Sequence, residues 1–514
     1  MPGGGVITGP PDFIGMGTQR SGTTWWQRLL KRHPAIKTPL NRKKEQHFFD
    51  KFGKRPMEPS DIARYHDLFP RGPGELSGEW TPRYMRDIWG PRVVAQAAPD
   101  AKVLIMVRDP VERFRSGVLH QGQRTPYRDA AWLATDAIER GRYALQLRRV
   151  YDYFDEDQVL VLQYERCRVD PFEEYRRTLD FIDAPWHEPK EPTRTRGTAQ
   201  KSHKEPIWDD LRYAIVRELE GEVAELAELV PGLDVSLWKN FEHLASASER
   251  PAPAAPPRMS AAGARGGPPD YVGVGTEDAG CRWWHSLLLE HDSIDAPAER
   301  ELDFFGTFCT RAMTDDDTSG YHAHFEPRPG AITGEWTRTY MYESWTPMLL
   351  HRAAPDAKLL VMLMNPMDRY AINLARSRLR RRNETDTLSN TVAVGRYTPQ
   401  LRGLLEYYDR DRMLVLQLER CLADPLGQYA RTLDFLGVDA GFQPGGLRRR
   451  LLRRSGRTAG APARPDAKLW PDLEVPMLTE LEADVRELRE LVPDLDLSLW
   501  PQFARVDVHS RAHG

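Results

Sequence analysis

The chain has 514 residues, 40% hydrophobic and 29% charged, with a formal net charge of -3. That length exceeds a typical single core, so two to four domains are expected, and no apolar run is long enough to span a membrane. The near balance of charge gives no global attraction to nucleic acid or an anionic membrane, which makes any anion site local.

The opening stretch, MPGGGVITGPPDF, has neither a basic n-region nor an apolar h-region, so no secretory signal is expected and a cytoplasmic location is. A strand is expected over Phe13 to Met16, followed by the glycine-bounded turn GTQRSGTT (Gly17 to Thr24) and a helix from about Thr23 to Arg32. Further on, KVLIMVRD (Lys102 to Asp109) is apolar on both faces, as a central parallel strand would be. It ends in Asp109-Pro110, an N-cap acceptor followed by Pro at the first helical position. Two strand-to-helix turns therefore meet at the carboxyl edge of one sheet, where α/β folds bind ligands. The four cysteines, Cys167, Cys281, Cys309 and Cys421, form no CxxC or metal-ligand spacing. The basic clusters RSRLRRR and RRRLLRR have no nucleic-acid module around them and are taken as solvated faces.

The chain repeats itself. FIGMGTQRSGTTWW (from Phe13) returns as YVGVGTEDAGCRWW (from Tyr271), GEWTPRYM (Gly78 to Met85) as GEWTRTYM (Gly334 to Met341), and VLVLQYERCRVDP (Val159 to Pro171) as MLVLQLERCLADP (Met413 to Pro425). LVPGLDVSLW (Leu229 to Trp238) returns as LVPDLDLSLW (Leu491 to Trp500), in the same order. The expectation is an α/β protein of two tandem P-loop-like, three-layer domains, each with a central, mainly parallel sheet flanked by helices. Their expected bounds are 1–245 and 271–507, joined by a Pro/Ala/Gly-rich linker, 246–270, and followed by a tail, 508–514.

The turn Gly17 to Thr24 offers backbone N–H groups, hydroxyls and a helix N-terminus to an anion. It departs from a Walker A loop at the position after Gly22, where Thr23 replaces Lys, and the positive charge sits instead on Arg20. Arg108 beside Asp109 leaves no convincing magnesium-binding acid. A nucleoside triphosphatase or phosphoryl-transfer enzyme is therefore disfavoured, and an unliganded structural turn is the bland alternative.

At these residues the chain resembles sulfotransferases that use 3′-phosphoadenylyl sulfate (PAPS), in particular the heparan-sulfate type and its bacterial relatives. RSGTTWW resembles their 5′-phosphosulfate loop, VRDPVERFRS (Val107 to Ser116) their 3′-phosphate segment, KEQHFFD (Lys44 to Asp50) their K-E-x-H-F-F element, and RTRGT (Arg194 to Thr198) the basic loop over the nucleotide. The resemblance implies that Arg20, Ser21, Gly22, Thr23, Thr24 and Trp25 hold the 5′ end and that Arg108 and Ser116 hold the 3′-phosphate. Arg194, Arg196 and Gly197 would close over it. Sulfuryl transfer needs a base for the acceptor and a cation at the leaving group. By the resemblance Glu45 is the base and Arg20 neutralises the leaving group, with no metal. His47 is the rival base, placed by its even spacing on the same strand face as Glu45. The structural alternatives are an ion pair of Glu45 with Lys43 or Lys44, a corner salt bridge for Arg108 or Arg113, and helix packing for Trp25 and Trp26. Many heparan-type enzymes carry Lys where this chain has Trp80, which suggests a more aromatic acceptor side. Glu79 and Tyr84 either line that side or, since Glu335 and Tyr340 repeat them, serve the fold. The expected acceptor is a small molecule, glycan or glycolipid bearing a hydroxyl or an amine. A non-catalytic binder of PAPS or its product PAP is the alternative of another class.

The second copy keeps Gly280, Trp283, Glu301 and Arg369 but has Asp278 for Arg20, Met364 for Arg108 and, by direct spacing, Ile372 for Ser116. Arg to Asp exchanges an attraction of about 4 kcal/mol, for unit charges in contact at an effective dielectric near 20, for a similar repulsion. This copy is expected to be a pseudo-enzyme that packs on the first, shapes its acceptor cleft or mimics a homodimer partner, the alternative being that it has acquired a different ligand; RRSGRT (Arg453 to Thr458) offers it a basic loop.

Overall fold

The computed structural model describes residues 6–121, 127–189, 207–246, 266–276, 278–299, 301–379, 385–445 and 469–506. In chain order the first copy contains β1 (Phe13–Gly17), α1 (Thr23–Lys31), β2 (Ile36–Lys37), α2 (Pro59–His66), β3 (Leu76–Trp80), α3 (Gly90–Ala97) and β4 (Lys102–Val107). There follow α4 (Pro110–Gln121), α5 (Tyr127–Glu139), α6 (Tyr143–Tyr151), β5 (Val159–Gln163), α7 (Tyr164–Val169), α8 (Pro171–Phe181), α9 (Asp209–Leu229) and α10 (Glu242–Ala245). The second copy repeats them as β6 (Tyr271–Gly275), α11 (Cys281–Leu288), β7 (Ile294–Asp295), α12 (Asp315–His322), β8 (Ile332–Trp336), α13 (Thr346–Ala353) and β9 (Lys358–Leu363). It ends with α14 (Pro366–Leu379), α15 (Thr385–Gly395), α16 (Tyr397–Leu405), β10 (Met413–Gln417), α17 (Leu418–Ala423), α18 (Pro425–Leu436) and α19 (Pro471–Leu491). Most of the expected linker and all of the expected tail lie outside the described residues.

Each copy builds a five-stranded sheet, in the order β2-β3-β1-β4-β5 and β7-β8-β6-β9-β10, and every pairing is parallel. From β1 the chain goes first to one side of the sheet and then to the other, which makes the C-terminal end of β1 the point where the strand order reverses, the place where α/β sheets bind ligands. β4 stops at Val107, two residues earlier than expected, because Asp109 leaves the sheet to cap α4. Its Oδ1 accepts from the N–H groups of Val111 (2.9 Å) and Glu112 (3.2 Å). α8 and α18 start the same way, with Asp170 and Asp424 as caps and Pro next in line.

Strand alternation divides the core. Phe13 faces an outer cluster with Trp26, Leu104 and Leu162. Ile14 and Met16 face a second cluster that continues without a break into the other copy, through Val272, Phe305, Leu359 and Leu488. The two copies thus share one core, and the elements that meet are related by a pseudo-two-fold: α5 packs on the turn Phe305–Cys309, and α15 on the equivalent turn Asp50–Gly53. Ion pairs cross the boundary from both sides, Arg92 to Asp472 at 2.9 Å and Arg352 to Asp210 at 2.9 Å.

Two expectations are corrected. Residues 45–47 form an irregular segment rather than a strand, and His47 has φ 51. Trp80 does not make the acceptor side aromatic. Its ring lies over Gly15, where a Cβ would stand 2.1 Å from it, and its indole N–H donates to the Gly17 carbonyl at 3.0 Å. Trp336 covers Gly273 in the same way in the second copy.

Candidate functional site

The first wall is the turn between β1 and α1. Gly22 precedes α1 with φ 98, and a Cβ there would meet the Tyr164 ring at 2.6 Å, so only glycine lets the chain turn so close to that ring. No side chain of the described residues caps α1, and its first N–H groups point into the turn. Thr18 Oγ1 lies 2.5 Å from Ser21 Oγ and donates to the Met106 carbonyl at 2.9 Å, which ties the turn to β4. Arg20 projects from a left-handed residue, φ 69. Partial desolvation lowers its pKa, and the charge of Glu45 opposes that shift. Trp25 packs edge-on against Trp26 and Tyr164. Trp26 itself is buried, with its indole donating to Thr178 at 3.1 Å, so helix packing accounts for Trp26.

The second wall is the β4–α4 turn. Arg108 stacks over the Tyr164 ring at 5.0 Å and donates from Nη1 to the Arg20 carbonyl at 3.3 Å, bringing the two turns together. Its contact with Glu112, at 3.5 Å, is long for an ion pair, and its Nε is buried with no hydrogen-bond partner among the described residues. Ser116 lies half-buried two turns of α4 further on. Arg113 departs from the expected salt bridge. It is fully buried, donates to the Ala137 carbonyl, and burial lowers its pKa to about 10. Arg194, Arg196 and Gly197 lie outside the described residues.

The third wall carries Glu45 and His47. The segment hangs on the β3 framework: Gln46 N–H donates to Thr81 Oγ1 at 2.9 Å and Phe48 N–H to the Tyr84 hydroxyl at 2.9 Å. Glu79 organises that framework from below, accepting from Tyr65 (2.8 Å) and Thr81 (2.5 Å), and its complete burial raises its pKa to about 7. Glu335 repeats the arrangement with Tyr321 and Thr337 at 2.6 Å each, which settles Glu79 and Tyr84 as parts of the fold. His47 stands between two carboxylates, Nε2 3.2 Å from Glu45 and Nδ1 3.0 Å from Asp50. The hydrogen bonds that His47 donates to Asp50 and then to Glu45 outweigh burial and raise His47 to about 10. The bond to His47, and then Lys44 at 2.5 Å, lowers Glu45 to about 2. At neutral pH His47 is an imidazolium with both nitrogens donating, and the group with a free lone pair is the Glu45 carboxylate.

Asp50 escaped the residue-by-residue reading, as did Gln19, whose side chain accepts from Arg140, and Arg83, which lies 3.8 Å from Asp50. One signal was available: aligning the two copies shows that the cations His47, Arg83 and Arg140 become Asp303, Thr339 and Val394.

The second copy keeps the frame and fills the site. Asp278 has nearly the same left-handed backbone, φ 71, as Arg20. Arg282 takes the place of Thr24 and bonds Glu301 at 2.8 Å, while Arg338 holds the same carboxylate at 2.7 Å. Burial raises the Glu301 pKa, but these two arginines more than offset it. Met364 and Ile372 are buried in the apolar cluster of that copy beside Trp283.

Residues 10–206 match the family described as Sulfotransferase domain. The chain is 30% identical over 202 residues to heparan sulfate glucosamine 3-O-sulfotransferase 6 of Homo sapiens, covering 35% of this chain and 56% of that protein. It is 30% identical over 186 residues to heparan sulfate glucosamine 3-O-sulfotransferase 3B1 of Mus musculus, covering 34% and 46%. The chain thus spans about half the length of the curated relatives it matches. Among solved structures, a sulfotransferase from Alicyclobacillus acidocaldarius aligns with a TM-score of 0.37 at 25% identity, covering 45% of this chain and 98% of that one.

Proposed function

The first copy belongs to the sulfotransferase family, and from that premise we propose that it transfers a sulfuryl group from PAPS to a hydroxyl or amine of an acceptor, leaving PAP. PAPS supplies the activated sulfuryl group and carries anionic charge at both its 5′ and 3′ ends. The observation that carries the reading is the pair of cationic turns joined by the bond from Arg108 to the Arg20 carbonyl, with Glu45 opposite. The residues fit such a co-substrate: the α1 N-terminus has no side-chain cap and the buried Arg108 Nε has no partner among the described residues. In this reading Arg20 and the α1 N–H groups, with Ser21 to Trp25, hold the 5′ end and stabilise the charge that develops on the leaving oxygen. Arg108 and Ser116 hold the 3′-phosphate. Glu45 takes the acceptor proton once the acceptor displaces Lys44, whose side chain is exposed, and the imidazolium of His47 orients the carboxylate. The names of the heparan sulfate relatives favour a sugar hydroxyl as acceptor. The second copy, with Arg282 and Arg338 closed on Glu301 and Met364 in the 3′ position, is a pseudo-enzyme in this reading.

The test is a calorimetric titration of the whole protein with PAP. One site per chain is expected, weakened about tenfold or more in Arg108→Ala by loss of a charge-assisted contact. Two sites would remove the pseudo-enzyme reading, and absence of binding would remove PAPS as donor.

A further inference from the structure

A run of charged side chains leads away from the candidate base through groups that the reaction scheme leaves unused. It starts at Glu45 and His47 and continues through Asp50 and Arg83. From Arg83 Nε it passes to Asp87 at 2.7 Å, then to Arg86 at 3.7 Å, to Asp136, and by a 2.7 Å bond to Arg140, which donates to Gln19 in the β1–α1 turn. The signs alternate at every step, so each group is held by partners of opposite charge, and the run passes from the exposed His47 to the buried Asp87, Arg86 and Asp136. The run therefore has the candidate base at one end and the donor turn at the other. It enters the second copy at its midpoint: Ser389 Oγ donates to Asp87 Oδ1 at 2.7 Å, and Arg86 also donates to Asn390 Oδ1. Both α15 residues are buried, Asn390 to 1%.

The pseudo-two-fold supplies an internal control. Asn390 is the counterpart of Asp136 itself, and the two stand together around Arg86 on the axis between the copies. Two identical copies would set two carboxylates there, a like-charge pair in a buried place. The amide removes one of those charges, so Asp136 stays ionised under Arg86 and Arg140. Every cation of the run is gone from the second copy: His47, Arg83, Arg86 and Arg140 correspond to Asp303, Thr339, Tyr342 and Val394. Structural elements of the fold, such as Glu79 with Tyr65, persist in both copies; this run exists only where the candidate chemistry does.

We propose that the degenerate copy positions the active one through Ser389 and Asn390, Ser389 acting on Glu45 by way of Asp87, Arg83, Asp50 and His47, and Asn390 acting on the donor turn by way of Arg86, Asp136, Arg140 and Gln19. The proposal rests on the sulfotransferase reading for the roles of Glu45 and the turn. Ser389 and Asn390 are positioning residues, since neither reaches the reacting atoms.

The experiment compares Ser389→Ala, Ser389→Thr and Asn390→Ala in the full chain, by calorimetric titration with PAP and by NMR titration of the His47 ring. Asn390→Ala is expected to weaken PAP about five- to tenfold, the worth of about one hydrogen bond, and to leave the His47 midpoint in place. Ser389→Ala is expected to do the reverse. Without the hydroxyl that fixes the Asp87 carboxylate in place, the Asp87–Arg83 contact loses its geometry, Arg83 turns towards Asp50, and the His47 midpoint falls by about half a pH unit or more with PAP affinity unchanged. Ser389→Thr keeps the hydroxyl and restores wild-type behaviour. Should Asn390→Ala fail to fold, Asn390→Leu, of similar size and unable to accept, carries the same expectation. Equal movement of both readouts in both variants, or movement of neither, overturns the proposal. If the wild type itself binds no PAP, the donor reading fails separately and the His47 titration still decides the Ser389 arm.

Discussion

His47 between Glu45 and Asp50 is the residue on which the choice of base turns. Its raised pKa, about 10, makes it a donor throughout the neutral range, and Glu45, lowered to about 2, stays ionised. Glu45→Ala is therefore expected to cut transfer by about 10²- to 10⁴-fold while PAP affinity stays within about twofold. Both are measured on one preparation, and equal loss of both would remove Glu45 as base. The same shifts have a sign in stability. His47 is raised above its unfolded value, so its contribution is complete below about pH 6.5 and is lost as pH rises through about 10. Glu45 is depressed, so its contribution is present above about pH 4.5 and is lost as pH falls through about 2. The stability gap between the wild type and His47→Gln, measured by urea unfolding, should be widest near pH 5 to 6 and close towards pH 10. The pair is partly solvent-exposed, so that gap is expected to stay below about 1 kcal/mol.

At the scale of elements, the β3 framework is what holds the segment that carries Glu45 and His47. Glu79 accepts from Tyr65 and Thr81, and Thr81 and Tyr84 in turn accept from the backbone of Gln46 and Phe48. Glu79→Ala would leave three buried hydroxyls without their acceptor, those of Tyr65 and Thr81 at about 1–3 kcal/mol each and that of Tyr84, at a longer 3.3 Å, at less. A loss of about 2–5 kcal/mol in urea unfolding is expected, with Glu335→Ala costing a similar amount although it lies far from the candidate chemistry. Much of this was legible in the sequence. The β1 turn and α1 follow from local glycine and apolar spacing, and the α4 start follows from Asp109-Pro110. The strand face assigned to Glu45 and His47 was not legible, because alternation is a property of extended backbone and His47 instead bends with a positive φ. Trp80 misled for a related reason: its side is decided by the empty space over Gly15, a residue sixty-five positions earlier.

For the whole molecule, the shared core makes the two copies one folding unit. The cluster of Ile14 and Met16 runs on into the second copy, and the α5 face of the first copy packs on the turn Phe305–Cys309 and on α15 of the second. A fragment of residues 1–245 is expected to expose that face and to aggregate or lose its cooperative unfolding transition, as followed by light scattering and thermal circular dichroism. A soluble fragment with an unchanged unfolding midpoint would show that the second copy is dispensable for stability.

By itself the sequence determined the duplication, the parallel α/β class, the two strand-to-helix turns and the loss of their arginines in the second copy. All of these are local patterns, or comparisons of one stretch of chain with another. Only the tertiary structure decided that His47 bends between Glu45 and Asp50, that Trp80 is core, and that Ser389 and Asn390 reach Asp87 and Arg86 from the other copy. The last two depend on partners some sixty to three hundred residues away, and the first on a backbone bend that sequence spacing does not reveal. Whether a charge is paired, buried or left open is set by what the fold brings within a few ångströms of it.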